Sequence, residues 1–211
     1  MTEVVPYEQR LNQNRRWALM EGSMHFEKGS EVFRTMMKLS QRLDELEIPY
    51  AVVGGMAMFQ HGYQRFTSDV DILVTAESLQ RIHEKLDGLG YLPPFNNSRN
   101  LRDTETGVRI EFLITGGFPG DGLPKPVSFP DPMNVAVVID GIRVIDLPRL
   151  LELKLASGMT NPNRLKDLAD AQELIKTCNL DEQFAEQLHP YVREKFLEFV
   201  QLQREHREYP Q

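Results

Sequence analysis

The chain has 211 residues, 41% of them hydrophobic and 26% charged, a balance suited to one ordinary globular domain or a core domain with a helical appendage. It has no apolar run of the roughly eighteen residues that a membrane span needs, and Met1 to Met20 is too polar for a signal peptide, so a cytoplasmic location is expected. One cysteine, Cys178, excludes an internal disulfide and a cysteine-based metal cluster, and a net charge of −7 argues against broad nucleic-acid binding.

Positions 1–28 are polar and charged, with Arg10, Arg15 and Arg16 near Trp17 and Leu19, and read as an arm or a short helix. Ser30 is placed to cap an amphipathic helix over Glu31 to Glu47, whose apolar residues Val32, Phe33, Met36, Met37, Leu43 and Leu46 have near-helical spacing. Ile48 to Val74 then reads as strand, tight turn, short helix and strand: an apolar run (Tyr50 to Val53) stops at Gly54-Gly55, and a second (Val70 to Val74) opens with alternating carboxylates. Another helix is expected over Ala76 to Leu89, with His83 at its surface or half-buried. Tyr91 to Arg102 has turn residues and little pattern. In Gly107 to Ile114, alternation puts Val108, Ile110 and Phe112 on one side of a strand and Arg109, Glu111 and Leu113 on the other.

Gly116 to Pro132 holds four glycines and five prolines in seventeen residues and should be a long loop. Asn134 to Ile139 and Ile142 to Ile145, split by Asp140-Gly141, read as a hairpin with a type I′ turn. Helical patterns follow from Leu147, over Asn163 to Lys176, and over Asp181 to Arg207 with a break at His189-Pro190. Cys178 ends one of them as a small hydrophobe, and Gln203 to Gln211 should fray. The expected fold is α/β, a small mixed sheet with flanking helices. Its segments are an arm (1–28), a core (29–146) and a helical C-terminal portion (147–211) that walls a cleft.

The chemistry concentrates at Ile48 to Val74. Asp69 and Asp71 lie two apart on a strand, so both carboxylates leave one face. Like charges held that close need compensation, and a divalent cation is the simplest. Oxygen ligands without His or Cys favour Mg²⁺ or Mn²⁺, which usually complete their shell with water and substrate phosphates, so a nucleotide is the expected ligand. Gly54-Gly55 lets the backbone turn sharply and brings bare N–H groups toward an anion.

Two glycines after a strand, followed by Asp69-x-Asp71 opening the next, resemble the signature of the polymerase-beta-like nucleotidyltransferase superfamily. The fuller run Arg65-x-Thr67-x-Asp69-x-Asp71 is similar to its abortive-infection (AbiEii-like) toxin branch, whose members serve in type IV toxin and antitoxin pairs. Thirteen residues separate Gly55 from Asp69, at the long end for the superfamily, and Gly55 stands where many members carry serine.

The resemblance implies that Glu111, where members usually carry Asp, joins Asp69 and Asp71 as the third catalytic, metal-binding carboxylate. Without it, Glu111 is an ordinary exposed strand residue. Gly54 and Gly55 would cradle phosphates, Arg65 and Thr67 would brace the metal loop, and Lys154, Arg164 and Lys166 would balance triphosphate charge, oriented by Asp167 and Asp170. The implied activity is transfer of a nucleoside monophosphate from an NTP to a hydroxyl of an RNA or tRNA end or of a protein, with an antitoxin as partner. The alternative is an inactive nucleotide- or partner-binding module on the same scaffold. A phosphodiesterase is disfavoured because no histidine accompanies the carboxylates.

Overall fold

A computed structural model describes residues 4–208. Seven strands, β1 (Ala51–Val53), β2 (Asp69–Val74), β3 (Tyr91–Leu92), β4 (Leu101–Asp103), β5 (Arg109–Ile114), β6 (Ala136–Ile139) and β7 (Ile142–Ile145), form one mixed sheet in the order β3-β4-β5-β2-β1-β7-β6. Helices α1 (Tyr7–Gln13), α2 (Arg15–Phe26), α3 (Glu31–Glu45), α4 (Gly54–Gln60), α5 (Ala76–Leu86) and the single turn α6 (Pro132–Val135) accompany it. Helices α7 (Leu147–Thr160), α8 (Leu165–Thr177) and α9 (Pro190–Glu208) follow. The fold is the expected α/β arrangement. No described helix is long and apolar enough to cross a membrane.

The sheet centre carries the core. β2 pairs antiparallel with β1 and parallel with β5, and β1 pairs parallel with β7. Alternation works as anticipated through β5 and the residue before it: Val108, Ile110 and Phe112 are fully buried. Helix α3 starts where Ser30 Oγ accepts from the Phe33 N–H at 3.4 Å, and it packs Val32, Phe33, Met36, Leu39 and Leu43 into the core against β2 and β7. The β6–β7 turn has Asp140 at φ 50° and Gly141 at φ 77°, the two left-handed residues that a type I′ hairpin needs. Cys178 caps α8, half-buried, and packs against the core.

Several boundaries differ from the sequence reading. Helix α3 stops at Glu45 because Glu47 turns left-handed (φ 52°) and the Ile48 N–H bonds back to Leu43 O. Helix α5 stops at Leu86, leaving Leu89 68% exposed between left-handed Gly88 and Gly90. Tyr91 to Arg102 is not irregular throughout, since its ends form β3 and part of β4, too short at two and three residues to show a period. The strand expected from Asn134 begins at Ala136, after the turn α6 that Asp131 caps. A 3₁₀ turn (Pro162–Arg164) precedes α8, and another (Glu182–Gln187) precedes α9, which runs to Glu208. Positions 1–3 of the arm and 209–211 of the tail lie outside the described residues.

The N-terminal segment forms two helices tied to the sheet. Tyr7 is fully buried, its N–H donates to Gly107 O at 2.9 Å, and its hydroxyl donates to Glu21 at 3.0 Å. At the other end, α7 packs on α8, α9 and α4. The α7–α8 approach is close at Gly158, where a Cβ would sit 2.4 Å from Leu168 Cγ and 3.0 Å from the Leu168 backbone nitrogen. Alanine inside a helix ordinarily improves on glycine by about 1 kcal/mol, but overpacking at a backbone contact costs about 1–3 kcal/mol. Gly158→Ala should therefore lower stability, by roughly 5 °C in a thermal melt followed by circular dichroism.

Candidate active site

Register builds the site. In the parallel β2–β5 pair Asp69 lies opposite Arg109 and Asp71 opposite Glu111, and in the β1–β2 pair Asp71 lies opposite Val53, the residue before the glycine turn. Because side chains alternate, Asp69, Asp71, Arg109 and Glu111 share one face, while Val70, Ile72, Ile110 and Phe112 fill the core on the other. Neighbouring strands stand about 4.8 Å apart, so three carboxylates and one guanidinium are crowded onto four adjoining positions.

The glycines are fitted to this crowd. Gly54 has φ +61°, and a Cβ there would lie 1.8 Å from Asp71 Oδ2, so the Asp71 carboxyl rests where a side chain would otherwise stand. A Cβ at Gly55 would meet Thr67 Cβ and Oγ1 at 2.8 Å. Thr67, buried, donates its hydroxyl to Asp69 Oδ1 at 2.7 Å. Thr67 thus fills the volume that a serine at position 55 would need, a physical account of the glycine found there.

The electrostatics are unbalanced. Burial, then the charges of Asp69 and Glu111, push the Asp71 carboxyl from 3.8 up to about 7, against the opposing pull of Lys154 and Arg109. Arg109 Nη2 lies 2.7 Å from Glu111 Oε1 and 3.3 Å from Asp69 Oδ2. Among the described residues no three His, Cys, Asp or Glu side chains form a group that could hold a metal ion. Asp69 and Asp71 still offer a hard, oxygen-only donor pair suited to Mg²⁺ or Mn²⁺. The excess negative charge registered at Asp71 and the cation already seated on Asp69 and Glu111 both fit a positively charged occupant.

A second cluster adjoins it. Lys154 Nζ on α7 donates to Asp167 Oδ1 at 2.7 Å and to Asp170 Oδ2 at 2.9 Å on α8. Asp170 also pairs with Arg65 at 3.0 Å, and Ser157 donates to Asp167 Oδ2 at 2.6 Å. Burial alone would raise the Asp167 carboxyl, but Lys154, Ser157 and Arg164 hold it below its ordinary value. Arg164 sits at the rim, 3.9 Å from Asp167. Lys166, grouped with Lys154 and Arg164 on sequence grounds, is exposed and outside the cluster, because on α8 the inward positions are those of Asp167 and Asp170.

Three residues of this neighbourhood are not among those the sequence assigns to the site. His25, fully buried on α2, contacts Arg65 O through Nε2 and Ser30 Oγ through Nδ1, both at 3.1 Å, and its burial holds its pKa down. Ser157 lies one turn beyond Lys154 on α7. Arg109 could have been found, since it sits two residues before Glu111 on a strand of known alternation.

Comparison with solved structures agrees on the fold: the chain has a nucleotidyltransferase-like architecture. It is similar to an antigenic nucleotidyltransferase-like protein from Paracoccidioides brasiliensis, with TM-score 0.52 and 16% identity over 84% of this chain and 91% of that one. It is also similar to the antibiotic-resistance factor ANT(2'')-Ia, with TM-score 0.50 and 14% identity over 83% of this chain and 97% of that one. No family model matches this chain, and no curated protein matches it in sequence.

The raised Asp71 carboxyl has a stability consequence with a definite sign. Below about pH 4 it is protonated whether folded or unfolded. Between about 4 and about 7 the unfolded chain ionises and the folded one does not, so stability falls as pH rises through that window. In EDTA, Asp71→Asn should melt at least about 3 °C above the parent at pH 8, the shift of about 1 kcal/mol in a chain of this size, and close to the parent at pH 4. Gly54→Ala should act oppositely. Left-handed backbone and the collision with Asp71 cost at least about 2 kcal/mol together, read as a fall of more than about 4 °C in the same melt.

Proposed function

We propose that this protein transfers a nucleoside monophosphate from a nucleoside triphosphate to an acceptor hydroxyl and releases pyrophosphate. The observation that carries this reading is the register that sets Asp69, Asp71 and Glu111 side by side, with Asp71 lodged against the bare Gly54 turn. Asp69 and Asp71 are the ligands we assign to Mg²⁺ or Mn²⁺, joined by Glu111 once Arg109 releases it. When bound, the divalent cation neutralises charge on the reacting phosphoryl group and favours deprotonation of the attacking hydroxyl.

The chain's own groups do the remainder. Gly54 and Gly55 present backbone without side chains to the phosphates. Thr67 fixes the Asp69 carboxylate through its hydroxyl, and Arg65 anchors the preceding loop to Asp170. Lys154, fixed by Asp167 and Asp170, contributes positive charge that stabilises the charge developing on the transferred group. Arg164 contributes from the rim. The work is thereby divided between a nucleotidyltransferase core at 29–146 and a helical portion at 147–211 that supplies the lysine.

For the acceptor we favour an RNA end, tRNA in particular, or a protein hydroxyl, and for the partner an antitoxin. Both rest on the resemblance carried by Arg65-x-Thr67-x-Asp69-x-Asp71. A second reading, a nucleotide- or partner-binding module without chemistry, draws support from the pairing of Arg109 with Glu111 and Asp69 and from the lack, among the described residues, of three such side chains grouped so as to hold a metal ion.

Incubation of the purified chain with each of four α-labelled NTPs, Mg²⁺ and total RNA separates the two. Label should appear on RNA or on protein with the parent, and Asp69→Asn should abolish it, a loss of at least about a thousandfold for removal of a metal ligand, while its circular dichroism stays unchanged. Labelling by Asp69→Asn equal to that of the parent would overturn the catalytic reading.

A further inference from the structure

Among the described residues, Arg109 is the one cation paired with the acidic face. A single nitrogen, Nη2, serves Glu111 at 2.7 Å and Asp69 at 3.3 Å. Its side chain is 43% exposed, and those of Asp69 and Glu111 are 24% and 31% exposed, so the guanidinium covers the carboxylates from the solvent side and has room to leave. A further carboxylate whose charge acts on it, Glu8 on α1, is already held by Arg102 Nη2 and Nη1 at 2.7 and 2.9 Å. An arginine expelled from Asp69 and Glu111 therefore finds the Glu8 carboxylate already engaged. It retains a planar fork of donors suited to a phosphate.

Resting on the metal-dependent reading given above, we propose that Arg109 is the resident counter-cation of this site. It holds Asp69 and Glu111 until a divalent cation displaces it, and the released guanidinium then takes a phosphate oxygen of the incoming nucleotide. Metal and nucleotide are thereby linked through one side chain. The cation must compete with Arg109 to enter, and the nucleotide gains a contact only after it has entered. Arg109 acts here as a positioning and specificity residue, favouring ligands that arrive as metal and triphosphate together.

The test compares the parent with Arg109→Gln in two titrations. In the first, Mn²⁺ binding without nucleotide is followed by the paramagnetic resonance signal of the free ion. In the second, inorganic triphosphate is titrated calorimetrically into protein in saturating Mg²⁺. Removing two partly exposed ion pairs should tighten Mn²⁺ binding by about fivefold or more, and loss of the phosphate contact should weaken triphosphate binding by about fivefold or more. Arg109→Lys, which keeps a point charge near both carboxylates, should bind Mn²⁺ within about twofold of the parent and serves as the folding control.

Mn²⁺ affinity in Arg109→Gln that is equal to or weaker than the parent's, or triphosphate affinity that does not change, would overturn the inference and leave the metal-dependent reading standing. Absence of Mn²⁺ binding in both proteins would overturn the two together.

Discussion

The structure depends on the parallel, in-register pairing of β2 with β5. One residue of slip would move the acidic positions to the core face and the aliphatic ones to solvent. The register is therefore enforced by Val70, Ile72, Ile110 and Phe112, four fully buried side chains with no polar role. Apolar burial beneath the sheet fixes a polar arrangement above it. The arrangement it fixes is unfavourable on its own terms, with three carboxylates sharing one surface. The molecule tolerates it through the charges of Arg109 and Lys154 and through a proton retained on Asp71 up to about pH 7.

The loop before β2 and helices α7 and α8 meet through Asp170. That carboxylate, nearly fully buried, accepts from Arg65 in the loop before β2 and from Lys154 on α7 while standing on α8. A buried charge deprived of partners is costly, so each of the three segments is held in place by the needs of the other two. Gly158 lets α7 and α8 approach closely enough for Lys154 to reach both aspartates. The lysine's position is thus a packing result as much as an electrostatic one.

Much of this was legible in the residues. The apolar run Val70 to Val74 with its alternate carboxylates, and the period-two alternation of Val108 to Phe112, mark the strands and their faces, Asp140-Gly141 marks the hairpin, and Ser30 marks the start of α3. The segments that escaped did so for identifiable reasons. Strands of two and three residues, such as those at Tyr91 and Leu101, have no period to detect. Helix ends were misplaced where a left-handed residue, Glu47 or Gly88, stopped the chain before the apolar pattern ran out. In the site, the paired glycines and Asp69-x-Asp71 announced themselves by local spacing. His25 and Ser157 matter through contacts with residues on other elements, which spacing does not encode, whereas Arg109 shares the alternation that sets Glu111 on the same face. Lys166 failed for the opposite reason: proximity to Arg164 in sequence says nothing of which side of α8 it occupies.

Gly55 and Thr67 share a single parcel of space, since a methyl group added to the first would overlap the β-carbon of the second. Two sites that exchange volume in this way cannot drift independently. Among homologues, a larger residue at the bend should accompany a smaller one at the threonine, so that bulk passes from one to the other while the sum is kept. Read across many sequences, that reciprocity would mark chains that hold their first aspartate by a hydroxyl from the loop, apart from those that place the hydroxyl on the helix instead.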